Sequence, residues 1–273
     1  MQLKNKVAVI TGGASGIGRA TCMKLAEREV KAIGVVDQVA GCAAACEEMN
    51  REAGREVAMP FSGDVVDAEF REMVFDELED RFGPVSLCVP AAGITRDDLS
   101  VRISKTNGTT SASIYVEADF RRVIDVDLIA PIYWALRTVA SVATDRARRG
   151  LTKWSPDQSV QGAIVLIGSV SSAGNRGQIS YATAKAGLEG AQATLATEAI
   201  FYGVRCAIIH PGYTDTPMVR SLGEEMIIER ILPNTQLRRL IRPDEIAGAI
   251  CFMLENSAVS GSLWADAGWH PNA

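Results

Sequence analysis

Histidine is nearly missing from this chain, with only His210 and His270 among 273 residues. A His-rich metal site cannot be built from two, and a Ser-His-Asp or Cys-His nucleophilic mechanism has only these to draw on. No Cys-x-x-Cys pair occurs among the six cysteines (Cys22, Cys42, Cys46, Cys88, Cys206, Cys251), which fall in segments that read as strands and helices. They read as reduced core thiols in a reducing compartment. No apolar run approaches the roughly 18 residues that a membrane span requires. The longest, at 247–254, reads as core helix. Met1 to Lys6 lead straight into Val7-Ala8-Val9-Ile10, which leaves no room for the apolar segment of a signal peptide. A cytoplasmic protein is expected. Basic charge is not in excess either: 28 Lys plus Arg stand against 33 Asp plus Glu, a net charge of −5. An electrostatic grip on nucleic acid or anionic lipid needs clustered cations, so neither partner is expected.

What is present is apolar surface, 47% of the residues, enough for the core of one large domain. Short apolar runs alternate with longer amphipathic ones from end to end, the pattern of a parallel sheet with helices on both faces. Seven strands are predicted at 7–11, 32–37, 57–61, 86–89, 163–167, 204–209 and 262–265, forming one doubly wound sheet of Rossmann type. Helices are predicted at 17–28, 39–53, 68–81, 120–147, 181–202 and 244–254 from apolar spacings of three and four. Two polar stretches, near 100–116 and 146–161, interrupt the rhythm and read as surface insertions in a single domain spanning 1–273.

The first predicted strand ends in Thr11-Gly12-Gly13-Ala14-Ser15-Gly16-Ile17-Gly18, and a helix follows at once. Glycine suits such a turn because the backbone must bend sharply and lie against a pyrophosphate, whose charge meets the N–H groups at the helix start. The spacing of Gly12, Gly16 and Gly18 is G-x-x-x-G-x-G. Asp37 closes the second strand about twenty residues on, where an acidic side chain accepts hydrogen bonds from an adenosine ribose and repels a 2′-phosphate. NAD is therefore expected in preference to NADP. Asp64, followed by Val65 after the third strand, reads either as an adenine holder or as a turn residue.

Tyr181 and Lys185 stand four apart at the start of a predicted helix, on one face, with small residues between them. A free tyrosine ionises at about pH 10, and a nearby ammonium favours the phenolate. Bringing the phenol to neutrality takes about 4 kcal/mol, within reach of a close cation in a partly dry site. Tyr181 is thereby expected to become a usable general acid or base.

Taken together, the glycine pattern, the acidic strand end and the Tyr-x-x-x-Lys pair resemble the short-chain dehydrogenase/reductase family, over nearly the whole chain. The resemblance implies a Rossmann-fold, NAD(P)-dependent oxidoreductase with Tyr181 and Lys185 as catalytic residues. It further implies that Ser169, in Ile167-Gly168-Ser169-Val170, hydrogen-bonds the substrate carbonyl and that Lys185 also holds the nicotinamide ribose. Ala92 and Gly93, after the fourth strand, and Pro211, Gly212, Thr214 and Thr216, in His210-Pro211-Gly212-Tyr213-Thr214-Asp215-Thr216, correspond to cofactor-binding segments. His210 is then a structural neighbour of the cofactor.

Four departures from the family pattern stand out. Pro90-Ala91-Ala92-Gly93 replaces the usual Asn-Asn-Ala-Gly, and Asp127 takes the place of the asparagine that completes the catalytic set. An ionised aspartate accepts hydrogen bonds but donates none, so the proton relay is expected to be altered and the pull of Lys185 on Tyr181 partly neutralised. Ser169 and Tyr181 are twelve apart, one fewer than usual, and Asp266-Ala267-Gly268 replaces Asp-Gly-Gly.

Within the family, Ala92-Gly93-Ile94-Thr95-Arg96-Asp97-Asp98-Leu99 resembles the β-ketoacyl carrier-protein reductases, as does Gly177-Gln178. Those enzymes generally use NADP, often with a basic residue where this chain has Ser15, whereas Asp37 points to NAD. The expected substrate is a small carbonyl or alcohol, with a 3-oxoacyl thioester first. An NAD-dependent dehydrogenase of a secondary alcohol, polyol or hydroxy acid is the alternative, and a dinucleotide-binding protein with weak or no turnover the second. The resemblance also implies a homotetramer or homodimer built through the helices at 120–147 and 181–202.

Overall fold

Val7 and Val9 of the first strand, β1 (Val7–Thr11), pack on one face of a sheet and Ala8 and Ile10 on the other, and all four are buried. A strand covered on both faces has no place for a polar alternate, so it reads as one continuous apolar run. The computed structural model describes residues 1–106 and 109–269, and His270 lies outside the described residues.

β1 is followed by α1 (Gly16–Glu27), β2 (Ala32–Asp37), α2 (Cys42–Ala53), β3 (Ala58–Ser62), α3 (Ala68–Phe82) and β4 (Val85–Pro90). A ribbon of β5 (Val101–Thr106) and β6 (Thr109–Ile114) precedes α4 (Glu117–Ile124) and α5 (Ala130–Arg148). Then come β7 (Gly162–Ile167), α6 (Ile179–Glu198), β8 (Val204–Pro211), the short α7 (Pro217–Arg220) and α8 (Glu224–Met226), α9 (Pro243–Glu255) and β9 (Gly261–Ala265).

Seven strands form one parallel sheet in the order β3-β2-β1-β4-β7-β8-β9, as the alternating pattern predicts. The chain winds outward from β1 to β3 and then returns to lay β4 on the other side of β1. That reversal opens a crevice at the carboxyl ends of β1 and β4. Leu25 of α1, Met49 of α2 and Ile250 of α9 cover one face of the sheet, and Phe75 of α3, Trp134 of α5 and Leu188 of α6 cover the other.

Two expectations need correction, and a third gains detail. The helix read at 120–147 runs unbroken but is not α-helical throughout: between α4 and α5, residues Asp125–Ile129 form a wider turn in which the Ala130 N–H bonds the Asp125 carbonyl five residues back. The stretch near 100–116, read as a surface insertion, carries an antiparallel ribbon, with Val101 opposite Ile114 and Thr106 opposite Thr109. Its strands are exposed throughout, and apolar and polar residues alternate between the ribbon's two faces. The stretch near 146–161 begins inside α5, and its remainder is tied down by the Trp154 N–H donating to the Phe201 carbonyl at 2.8 Å.

Trp134 is fully buried against Phe70 and Phe75, and its indole N–H donates to the Val65 carbonyl at 2.9 Å. Replacing it leaves a large cavity and an unpaired carbonyl under the loop that follows β3. Trp134→Ala is expected to lower the unfolding free energy by about 3–5 kcal/mol, read from urea denaturation followed by circular dichroism.

Candidate active site

At the end of β1 the backbone turns through Gly12 at φ +64° and Gly16 at φ +52°, the left-handed region that disfavours a side chain. A Cβ on Gly12 would lie 2.7 Å from the Ala92 nitrogen, and one on Gly18 would lie 2.1 Å from the Gly12 carbonyl oxygen. These glycines let the first turn approach both β4 and its own helix. Thr11 closes the junction: its hydroxyl accepts the Ala92 N–H at 3.1 Å, and its carbonyl accepts the Ala91 N–H at 3.0 Å. Backbone and one hydroxyl thus secure the segment where Pro90-Ala91 replaces the amide side chains of the family pattern.

A cavity of about 290 Å³ runs along this crevice. Gly12, Ser15, Gly16, Ile17 and Gly18 form its floor, Asp37 and Val65 line one end, and Ala92, Gly93, Tyr181, Lys185 and Thr216 line the other. Ser15 is the N-cap of α1, so the free N–H groups of the first turn open toward this floor. The crevice fits an extended dinucleotide: open amides for a pyrophosphate at its centre, a carboxylate at one end and a phenol-amine pair at the other.

Asp37 is held at the end of β2 by the Ala14 N–H at 3.1 Å and the Val39 N–H at 3.2 Å. Asp64 lies in the turn after β3. Its side chain accepts the Val66 N–H at 3.1 Å and pairs with Arg122 at 2.8 Å, and it does not line the cavity. Thr216 caps α7, its hydroxyl accepting the Val219 N–H at 3.4 Å. Thr214 is buried and donates to the Gly212 carbonyl at 3.0 Å.

A second cavity, of about 120 Å³, adjoins the first across Tyr181 and Thr216. Ser169, Pro211, Gly212 and Thr214 line it, and Ser169 is held by accepting the Ser171 N–H at 3.0 Å. Tyr181 and Lys185 project from the first two turns of α6. The Lys185 ammonium lies 5.3 Å from the centre of the Tyr181 ring and donates to the Ile167 carbonyl at 3.1 Å.

Asp127 lines neither cavity; it sits behind Lys185. It is fully buried in the wide turn, accepts the Ile94 N–H at 2.9 Å through Oδ1, and places Oδ2 3.3 Å from Lys185 Nζ. Burial works to push the Asp127 carboxyl up and the Lys185 ammonium down, and each group's charge counters the effect on the other. The net direction is upward for both groups, burial outweighing Lys185 at Asp127 and the Asp127 charge holding the Lys185 ammonium.

Tyr181 feels both members of this pair as well as its own burial. Burial is the largest influence and pushes the phenol up, Lys185 pulls it down, Asp127 pushes it up again, and Ser169 pulls it down. The net direction is upward, so Lys185 alone does not bring the phenol to neutrality. His210 fills the structural role expected of it. Its fully buried ring stacks on Trp264 at 4.3 Å, Nδ1 lies 3.3 Å from the Ser169 carbonyl, and burial drives its pKa down, keeping it neutral.

Several lining residues were given no site role from the sequence. Gln178, one turn before Tyr181, donates to Asp97 at 2.8 Å and accepts from the Ser171 hydroxyl at 2.8 Å and the Asn175 amide at 3.0 Å. Its three-residue spacing from Tyr181 was the available signal. Asp97, Ser171 and Tyr213 reach the same cavity from three separate loops, which no local spacing reveals. Among the described residues, no group of three or more His, Cys, Asp or Glu could hold a metal ion, and no helix is long and apolar enough to cross a membrane.

Residues 6–227 match the protein family described as short chain dehydrogenase. The chain is 32% identical over 259 residues to the 3-oxoacyl-(acyl-carrier-protein) reductase FabG of Vibrio harveyi, covering 94% of this chain and 93% of that one. It is 30% identical over 272 residues to the acetoacetyl-CoA reductase of Synechocystis sp., covering 98% and 97%. The crystal structure of 3-hydroxyacyl-CoA dehydrogenase type-2 from Mycobacterium avium is similar throughout, with a TM-score of 0.83, 26% identity, and coverage of 99% of this chain and 98% of that one.

Asp127→Asn keeps an acceptor for the Ile94 N–H and removes the negative charge. Lys185 then acts on Tyr181 unopposed, the phenolate is favoured, and Tyr181 should ionise at lower pH than in the parent. Ultraviolet difference titration of tyrosinate, with Tyr181→Phe as the blank in each background, reads the shift. An onset at unchanged or higher pH would contradict this charge balance.

Proposed function

The chain belongs to the short-chain dehydrogenase family and is an oxidoreductase, and on that premise we propose that it interconverts a 3-oxoacyl thioester and its 3-hydroxy counterpart with NAD(H). The observation that carries this reading is the position of Tyr181, which lines both the dinucleotide-shaped crevice and the adjoining cavity that holds Ser169.

The family's nicotinamide dinucleotide, when bound, supplies or accepts the hydride. Gly12, Ser15, Gly16, Ile17 and Gly18 would hold its pyrophosphate, Asp37 and Val65 its adenosine end, and Ala92, Gly93, Lys185, Pro211, Gly212, Thr214 and Thr216 its nicotinamide end. Ser169 donates a hydrogen bond to the substrate carbonyl oxygen and fixes its direction. In reduction Tyr181 gives its phenolic proton to that oxygen; in oxidation its phenolate takes the proton from the alcohol. Lys185 holds positive charge beside the phenolate, and Asp127 steadies Lys185.

Preference for NAD over NADP rests on the Asp37 carboxylate. Two cations near that end are already engaged: Arg19 pairs with Glu48 at 2.9 Å and Glu52 at 3.4 Å, and Arg122 pairs with Asp64. A 2′-phosphate would meet the negative charge of Asp37. The six buried free thiols support a reducing, cytoplasmic setting. Ile129, Tyr133 and Leu136 form an exposed apolar stripe at helical spacing beside α4, which supports a homodimer or homotetramer.

Two experiments test the reading. NADH should bind more tightly than NADPH in fluorescence titration, and Asp37→Ala should narrow the difference; equal or tighter NADPH binding overturns the cofactor assignment. In a spectrophotometric screen with both cofactors, acetoacetyl thioesters should be turned over faster than polyols and hydroxy acids. Tyr181→Phe should cut that turnover at least a hundredfold and leave NADH affinity nearly intact. A fully active Tyr181→Phe variant removes the phenol from its role.

A further inference from the structure

The cavity beyond Tyr181 is lined on one side by the apolar side chains of Met218, Val219 and Leu222 and on the other by hydrogen-bonding groups. Among its described lining residues, one is charged: Asp97. Its carboxylate is exposed but has a partner. Oδ2 accepts the Gln178 amide, whose oxygen is in turn committed to Ser171 and Asn175. The neighbouring Asp98 N–H donates to the Gly177 carbonyl at 2.9 Å, holding this loop against the start of α6.

Nearby charges do not neutralise it. Arg102 is paired with Asp98, and Arg96 lies 3.9 Å from Asp119 and donates to its own neighbour's carbonyl, Thr95 O, at 2.8 Å. No cation pairs with Asp97 among the described residues. Lys185, on the catalytic side, is already paired with Asp127. The field of Asp97 reaches both phenols facing the cavity, Tyr181 and Tyr213, and contributes to holding each above its ordinary range.

We propose that Asp97 is a specificity residue that turns away substrates with a carboxylate beside the reacting carbonyl, so that the site takes neutral 3-oxo thioesters and rejects free 3-oxo acids. This rests on the assignment of Tyr181 and Ser169 as the carbonyl-handling pair. A carbonyl oxygen seated between those two side chains puts the far end of a short 3-oxo acid in this same small cavity, where its charge meets that of Asp97. The corresponding thioester or ester brings a neutral group to the same place. Asp97 sits at the exposed rim, so the repulsion is screened and amounts to about tenfold in selectivity.

The test compares kcat/KM for acetoacetyl-N-acetylcysteamine, methyl acetoacetate and acetoacetate, in the parent and in Asp97→Asn and Asp97→Glu. The parent should favour the neutral substrates, and its preference should weaken as salt is added. In Asp97→Asn the ester-to-acid ratio should fall about tenfold and lose its salt dependence, while Asp97→Glu retains both. Turnover with the same ratio in all three proteins overturns the role of Asp97 and leaves the carbonyl reading standing. Absence of turnover of every substrate by the parent overturns that reading and this inference with it.

Discussion

The approach of the Gly12 backbone to Ala92, at the carboxyl ends of β1 and β4, is the constraint on which the rest of the site depends. A side chain on Gly12 or Gly18 would strike backbone, not a movable side chain, so the junction cannot yield by a rotamer change. Because the sheet order reverses at this point, the two strand ends spread helices to opposite faces and leave the crevice between them. Everything chemical is then placed relative to that opening: Asp37 from β2 at one end, Ser169 and the first turns of α6 at the other.

Charge is arranged around the phenol in a way particular to this chain. Lys185 is buried and would be destabilised alone; Asp127, where the family has asparagine, gives it a partner at 3.3 Å. The pair makes an ammonium tolerable at that depth, yet the same carboxylate opposes the effect of the ammonium on Tyr181. Stability of the lysine and acidity of the tyrosine are thus in opposition.

The sheet was legible in the sequence because each central strand is buried on both faces and leaves an unbroken apolar run, as in Val7-Ala8-Val9-Ile10. The glycine turn, Asp37 and the Tyr181–Lys185 pair were legible because each is local in sequence. The ribbon at 101–114 was missed although it alternates Val101, Ile103, Ala112 and Ile114 with polar residues and has Asn107-Gly108 between its halves, a common hairpin signal. Its abundance of Ser and Thr obscured the period of two. The meeting of Asp97, Ser171 and Tyr213 was out of reach for a different reason: they come together only when three separate segments converge, as in the bond from Gln178 to Asp97. The upward push on Tyr181 likewise depends on burial, which spacing along a helix does not encode.

The wide turn at Asp125–Ile129 also acts as a gear between the interior and the outer surface. A helix advances by about 100° for each residue, and a turn closed five residues back takes up an extra one, so everything after it is rotated out of phase with α4. That slip aims Asp127 inward at Lys185, sends Trp134 under the sheet, and turns Ile129, Tyr133 and Leu136 outward. Insertion or deletion of a single residue there would swing all three sets together, so drift in the surface stripe and drift in the interior ion pair are mechanically tied.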